Sequence, residues 1–214
     1  VAERMGIRVM FSDLESEKID AITVWIDRQP YIILNSRRIS STRIRFNLAH
    51  EIGHIILHSK YPQKLINDTD YHRVLEHEAN QFAGLFLIPD RSLALDMDRN
   101  NMRFLIELKR KWKISLQALI YRGNEMGLIS DQQALFLRQT IYRNKWRINE
   151  PLDRSISIEY PTFYKAAFKY LNIDIEKYAK ELSSETGLKL RDIENIFSMN
   201  YEESKHKNVL RLLK

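Results

Sequence analysis

The stretch that decides the fold is residues 46–58, which read FNLAHEIGHIILH. Its apolar side chains recur at helical spacing and predict an amphipathic helix that runs to about His58. On this helix His50 and His54 stand one turn apart and about 40° around the axis, so both imidazoles can face one point. Neutral imidazoles suit zinc, with nitrogen–metal distances of about 2.0–2.1 Å. We therefore expect His50 and His54 to bind a metal ion.

Glu51 follows His50 and lies about 100° from it around the helix. It cannot align with the two histidines, but it can reach a water molecule at the metal, as the general base does in helical HExxH sites. The motif is short, and a surface helix with incidental His and Glu is the alternative. Against this alternative, apolar residues cover a wide arc of the helix: Leu48, Ala49, Ile52, Ile55 and Ile56.

A third ligand is expected on the next helix, where residues 75–83 read LEHEANQFA. The small side chains of Ala79 and Ala83 would let this helix pack closely against the first one. Gly53, inside the first helix, also predicts a close neighbour, since glycine is unfavourable there without such a reason.

Glu76 and Asn80 share the close-packing face of the second helix. We expect Glu76 to be the third metal ligand and Asn80 to form a hydrogen bond with a metal-binding histidine. Glu78 lies about 200° from Glu76, so the two carboxylates cannot both reach one metal, and Glu78 is the alternative ligand. The other nearby histidines are expected to be structural or exposed: His58, His72 and His77.

Three segments, residues 45–58, 76–83 and 85–89, carry a further signal. They combine an HExxH helix, a helix with Glu-x-x-Ala-Asn and an apolar run that ends in proline, LFLIP. In this combination the chain resembles the ImmA/IrrE family of zinc metallo-endopeptidases. The resemblance is strong over residues 5–90, weaker over residues 104–150 and faint beyond.

The resemblance implies a gluzincin-like zinc endopeptidase in which His50, His54 and Glu76 hold Zn²⁺ and Glu51 is catalytic. Mn²⁺ is a possible substitute in vitro. The implied substrate is a helix-turn-helix repressor or antitoxin, which the enzyme cleaves in the cytoplasm to relieve repression. Many members carry an N-terminal helix-turn-helix domain that this chain lacks. Since the chain begins with Val1, we expect a truncated protein whose DNA contact would reside in that missing domain.

The segments around the motif indicate the fold class. Alternating apolar residues predict strands before it, and residues 27–30 predict a four-residue hairpin connection. After residue 90 only helical patterns follow, including one helix over residues 92–112, one that begins at Ser115 and one capped by Ser130. We therefore expect an α+β protein. A small antiparallel sheet from the N-terminal hairpin packs on a zincin-like helical core, followed by an all-α C-terminal half.

Composition excludes several classes of protein. The 214 residues suffice for one or two domains. The absence of cysteine excludes disulfide scaffolds, cysteine-ligated zinc fingers, iron–sulfur clusters and cysteine nucleophiles, and is typical of the cytoplasm. No apolar run approaches the ~20 residues of a membrane span, so no membrane partner is expected.

The predicted regions are a metallopeptidase core at 1–90, a basic helical region at 91–150 and a C-terminal helical region at 151–214.

Charge supports an alternative function. The net charge of the chain is +6, and residues 91–150 alone carry +6. The run KRKWK at residues 109–113 is typical of a DNA-binding transcriptional regulator, in which the metal site would be vestigial or structural. A structural site needs no general base, so Glu51 favours the endopeptidase.

Two features of the predicted enzyme stay open at this point. The hairpin is expected to offer an edge strand to which a substrate segment could add. Zinc proteases also need a donor that stabilises the transition state. The alternatives for this donor are Tyr71, Tyr160, Tyr164 and His206.

Overall fold

The computed structural model describes residues 1–16, 19–37, 40–61 and 69–199. Its contacts form two units, one of Val1–Arg38 with Glu159–Lys214 and the other of Ile39–Ile158. The division predicted from the sequence, with boundaries after residues 90 and 150, stays a prediction, and the contacts group the segments differently.

A sheet belongs to the first unit and consists of β1 (Arg8–Ser12), β2 (Ala21–Ile26) and β3 (Gln29–Asn35). The central strand β3 pairs in parallel with β1 and antiparallel with β2. The α+β class is confirmed, but the sheet is mixed, so the predicted antiparallel sheet is wrong in this respect.

The parallel pairing of β1 with β3 buries one apolar face. Phe11 of β1 lies opposite Leu34 of β3, and both side chains are buried. Between β1 and β2 the chain passes the end of β3. There the side-chain amide of Asn35 donates hydrogen bonds to the backbone carbonyls of Ser16 and Ile19 at 2.8 and 2.7 Å. These bonds hold Ser16 and Ile19 at the end of β3.

The hairpin connection between β2 and β3 has two residues instead of the predicted four. Asp27 and Arg28 have φ angles of 48° and 65°, as in the type I′ turns that match the twist of paired strands. Gln29 and Pro30 already belong to β3. Three consecutive side chains of the edge strand β2 are exposed: Val24, Trp25 and Ile26.

The second unit is helical. It contains α1 (Ser41–Gly53), a π-helical turn (His54–His58) that continues α1, α2 (Thr69–Leu87), α3 (Asp90–Asp96), α4 (Met102–Trp112), α5 (Leu116–Glu125) and α6 (Asp131–Arg143). The helix predicted to extend to about His58 is therefore present, but its last turn is wider than an α-helical one.

The single helix predicted over residues 92–112 is wrong, because the chain forms α3 and α4 there. The break ends at Asn101, whose side-chain oxygen accepts a hydrogen bond from the backbone amide of Phe104 at 3.0 Å. Asparagine stabilises a helix start in this way and competes with a continuous helix. The predicted helix start at Ser115 and the predicted cap Ser130 are confirmed at α5 and α6, and the side chain of Ser115 also caps its helix.

The first unit also contains α7 (Phe163–Tyr170), α8 (Ile175–Thr186) and α9 (Leu190–Ile196). The Glu3 carboxylate accepts hydrogen bonds from the backbone amides of Thr162 and Phe163 just before and at the start of α7. The N-terminal segment and the C-terminal helices therefore fold together.

Candidate metal centre

Helices α1 and α2 approach each other closely at Gly53 and Ala79. A Cβ atom on Gly53 would lie 3.1 Å from Cδ1 of Phe82 and 3.3 Å from Cα of Ala79. Ala79 and Ala83 are both 0% exposed. The close neighbour predicted for Gly53 is thus confirmed, and so is the packing role of Ala79, whereas the contact of Ala83 with α1 stays a prediction.

This packing brings three side chains to one point. The Nε2 atoms of His50 and His54 lie 3.0 Å apart. The Glu76 carboxylate faces both, with Oε2 3.4 Å from Nε2 of His50 and Oε1 3.2 Å from Nε2 of His54. One ligand atom from each residue lies within 4.8 Å of the other two. The residues expected to hold a metal are therefore adjacent in the structure.

The other nitrogen of His50 is held by α2. His50 Nδ1 lies 3.0 Å from Oδ1 of Asn80. Because an amide oxygen can only accept, the proton of a neutral His50 is on Nδ1, and the lone pair is on Nε2. Asn80 thus directs the lone pair of His50 toward Glu76.

A second chain of hydrogen bonds orients His54. His58 Nε2 donates to the Glu78 carboxylate at 3.0 Å, which leaves the lone pair of a neutral His58 on Nδ1. His54 Nδ1 lies 2.9 Å from that atom and donates to it. The lone pair of His54 is therefore also on Nε2. Metal-binding histidines commonly bond to an outer partner through their second nitrogen.

The electrostatics of the cluster favour a cation. Two nitrogen lone pairs and a carboxylate face the same space and repel one another. Burial, and then the neighbouring His50, lower the pKa of His54 from 6.5 to about 4, so at neutral pH a proton on His54 does not relieve this repulsion. Two neutral imidazoles and one carboxylate form a known donor set of catalytic zinc sites. The residues present therefore fit a divalent metal.

The predicted base, Glu51, lies next to His50 on α1 and is partly buried. A helix rotates by about 100° per residue, so Glu51 lies beside the helix face that carries the two histidines and not on it.

Some side chains differ from their expected environment. Glu78, the alternative ligand, contacts His58 instead of the three converging groups. Ile56, expected in the buried arc of α1, is exposed, whereas His58 is buried at 4% exposure. The His58–Glu78 pair was missed, because the wider turn at His54–His58 has no signal in the apolar spacing.

The candidates for the transition-state donor occupy different places. Tyr71 lies on α2, where its ring contacts that of Tyr61 at a centroid distance of 5.9 Å. Tyr160 and Tyr164 belong to the other unit, and burial raises the pKa of Tyr164. His206 lies outside the described residues. The choice among them stays open.

Comparison with known proteins finds a matching family model. No curated protein matches the chain. In the described part of the chain, no helix has the length and apolar character to span a membrane. The model of the peptidase M78 family, described as the IrrE N-terminal-like domain, matches residues 2–124 and thus more than half of the chain. The resemblance to ImmA/IrrE proteins is confirmed: the chain belongs to this metallopeptidase family.

Proposed function

We propose that the chain is a zinc endopeptidase whose metal is held by His50, His54 and Glu76. The observation that carries this proposal is the convergence of two imidazole lone pairs and one carboxylate in a chain of a peptidase family. When bound, the metal supplies Lewis-acid chemistry, by polarising a carbonyl and lowering the pKa of a water molecule. Mn²⁺ would be a substitute in vitro.

Within this proposal the chain's own residues have separate tasks. The Glu51 carboxylate accepts the proton that the attacking water loses, and returns it to the nitrogen of the leaving amine. Asn80 keeps the Nε2 atom of His50 directed toward the metal. His58, itself held by Glu78, does the same for His54.

The proposed substrate is a helix-turn-helix repressor or antitoxin, cleaved in the cytoplasm. Family membership supports this choice. Binding of a substrate segment to the edge strand of the hairpin stays a prediction, as does DNA contact through an additional N-terminal domain.

The alternative, a DNA-binding regulator, loses support from the ion pairs of the basic run. Lys109 is buried between two carboxylates. Lys111 Nζ lies 2.6 Å from Asp96, and Arg110 pairs with Glu107. Cations paired within the protein contribute less to phosphate binding.

The test is cleavage of the repressor encoded beside this protein's gene. We expect the zinc-loaded chain to cut it and Glu51→Gln to be slower by about 10²–10⁴-fold at equal zinc content, because glutamine cannot accept the proton. Glu107→Gln, on an exposed helix face, is the matched control and should cut at the wild-type rate. Equal rates for wild type and Glu51→Gln would refute Glu51 as the base. Absence of cleavage by a zinc-loaded wild type would refute the substrate.

A further inference from the structure

A cavity of about 360 Å³ opens beside the candidate metal centre, within the unit Ile39–Ile158. This volume is at the lower end of the range for small ligand sites, about 300–1,000 Å³. Residues of α1, α2 and α5 line it, together with Ile114 between α4 and α5.

The cavity is connected to the candidate metal centre through Asn80 and through residues that neighbour the proposed ligands on α1 and α2. Asn80 lines it and also accepts the hydrogen bond from His50. Phe46 lines it from one helical turn before His50, and His77 lines it next to Glu76. A polypeptide with its scissile bond at the metal would therefore place a neighbouring side chain near this opening.

Most of the exposed surface of the lining is apolar, although His77, Asn80, Ser115, Gln117 and Arg122 add polar groups. Phe46, Leu87, Ile114 and Ala118 contribute apolar surface, and the half-exposed ring of Tyr121 adds to the lining. Ala118 contributes only a methyl group to the lining, so a larger side chain at this position would occupy part of the space.

Charge within the lining is already compensated. The guanidinium of Arg122, which lies in the lining, pairs with both Asp90 and Glu125. An acidic side chain would thus compete with two carboxylates for Arg122, and would lose hydration on entry.

We propose that this cavity is a specificity subsite that receives one large apolar side chain of the substrate, next to the bond to be cleaved. This inference rests on the proposed endopeptidase function. Ala118 is the residue that sets the size limit of the subsite.

The first experiment measures binding without chemistry. N-acetyl-phenylalanine amide and N-acetyl-alanine amide are titrated into zinc-loaded Glu51→Gln protein, and amide chemical shifts of residues 118 and 121 are followed by NMR. We expect the phenylalanine derivative to bind at least tenfold more tightly, because the aromatic side chain fills apolar space that the methyl group leaves empty.

Variants at position 118 test the location. Added to the same protein, Ala118→Phe should abolish the preference for the phenylalanine derivative, and Ala118→Val should reduce it with less risk to folding. Ala94→Phe, the same substitution at an exposed position of α3, should leave it unchanged. Equal binding of both probes, or a preference that survives both substitutions at position 118, would overturn the subsite.

The second experiment measures specificity with zinc-loaded protein that retains Glu51 and a randomised peptide library. We expect a large apolar residue at one position beside the cleaved bond, and a shift to glycine and alanine there in Ala118→Phe. Cleavage that depends on Glu51 but keeps the same profile in Ala118→Phe would overturn the subsite and leave the endopeptidase intact. Probe binding that depends on Ala118, without cleavage of any peptide, would support an apolar binding cavity and overturn the endopeptidase.

Discussion

Glu76 and Glu78 stand two positions apart on α2, yet they face different partners. The Glu76 carboxylate lies 3.2 Å from Nε2 of His54, whereas the Glu78 carboxylate lies 3.0 Å from Nε2 of His58. When a metal is bound, the Glu76 carboxylate would coordinate it directly instead of contacting His54. The Glu78 carboxylate holds a histidine that in turn holds His54, so its influence on the metal is indirect.

These contacts predict a graded loss of zinc affinity. Glu76→Gln should release zinc, because the amide replaces the one anionic ligand. Glu78→Gln should retain zinc with a smaller loss, at or below the low end of the ~10–100-fold typical of outer partners, since the amide oxygen can still accept from His58. Competition with a fluorescent chelator gives both affinities. A larger loss in Glu78→Gln than in Glu76→Gln would show that Glu78 is the ligand.

At the same scale, spacing on two helices was enough to select His50, His54, Glu76 and Asn80 as neighbours. The structure confirms that these four side chains are neighbours. Their roles at a metal stay proposals. The outer His58–Glu78 pair was not found, because the rotation assumed for a regular α-helix does not hold through the π-helical turn.

At the scale of elements, the contact between α1 and α2 depends on Gly53. Replacement by alanine would improve helix propensity by about 1 kcal/mol. The new methyl group would, however, lie 3.3 Å from the Ala79 backbone and 3.1 Å from the Phe82 ring, and overpacking of this kind costs about 1–3 kcal/mol. We expect Gly53→Ala to be neutral or destabilising by up to about 2 kcal/mol, and to bind zinc more weakly.

Urea denaturation and chelator competition check both parts of this expectation. If Gly53→Ala instead stabilised the protein by about 1 kcal/mol and left its zinc affinity unchanged, α1 and α2 could move apart without disturbing the site.

Sequence patterns located most elements but missed how some are joined. Apolar alternation indicated β1, and the serines at positions 115 and 130 marked helix starts. The parallel partner of β1 was missed, since alternation shows that a strand is half-buried but not which strand lies beside it. The break between α3 and α4 was missed because Asn101 can either continue a helix or cap a new one.

At the scale of the whole chain, long-range contacts are what the sequence reveals least. Glu3 binds the start of α7 about 160 positions away, and no local pattern predicts such a pairing. A similar long-range contact occurs in the second unit. Lys109 of α4, at 0% exposure, has its ammonium group 2.6 Å from the carboxylates of both Glu150 and Asp153.

This buried ion cluster connects distant parts of the second unit. Glu150 Oε2 also accepts from the backbone amide of Leu116 at 2.8 Å, at the start of α5. Asp153 Oδ1 lies 3.5 Å from the hydroxyl of Thr42, at the start of α1. Removing the Lys109 ammonium group would leave the buried Glu150 carboxylate and the largely buried Asp153 carboxylate without this partner, which is far more costly than losing an exposed ion pair.

We therefore expect Lys109→Met to destabilise the protein by about 3–5 kcal/mol, measured by urea denaturation of the full chain. Lys111→Met is the matched control, because Lys111 makes its 2.6 Å contact with Asp96 at the surface and should cost less than about 1 kcal/mol. Combining Lys109→Met with Glu150→Gln and Asp153→Asn should recover much of the loss, because it removes the uncompensated charges together with their partner. Equal losses for the two single lysine variants would show that solvent or a counter-ion replaces the buried ammonium group.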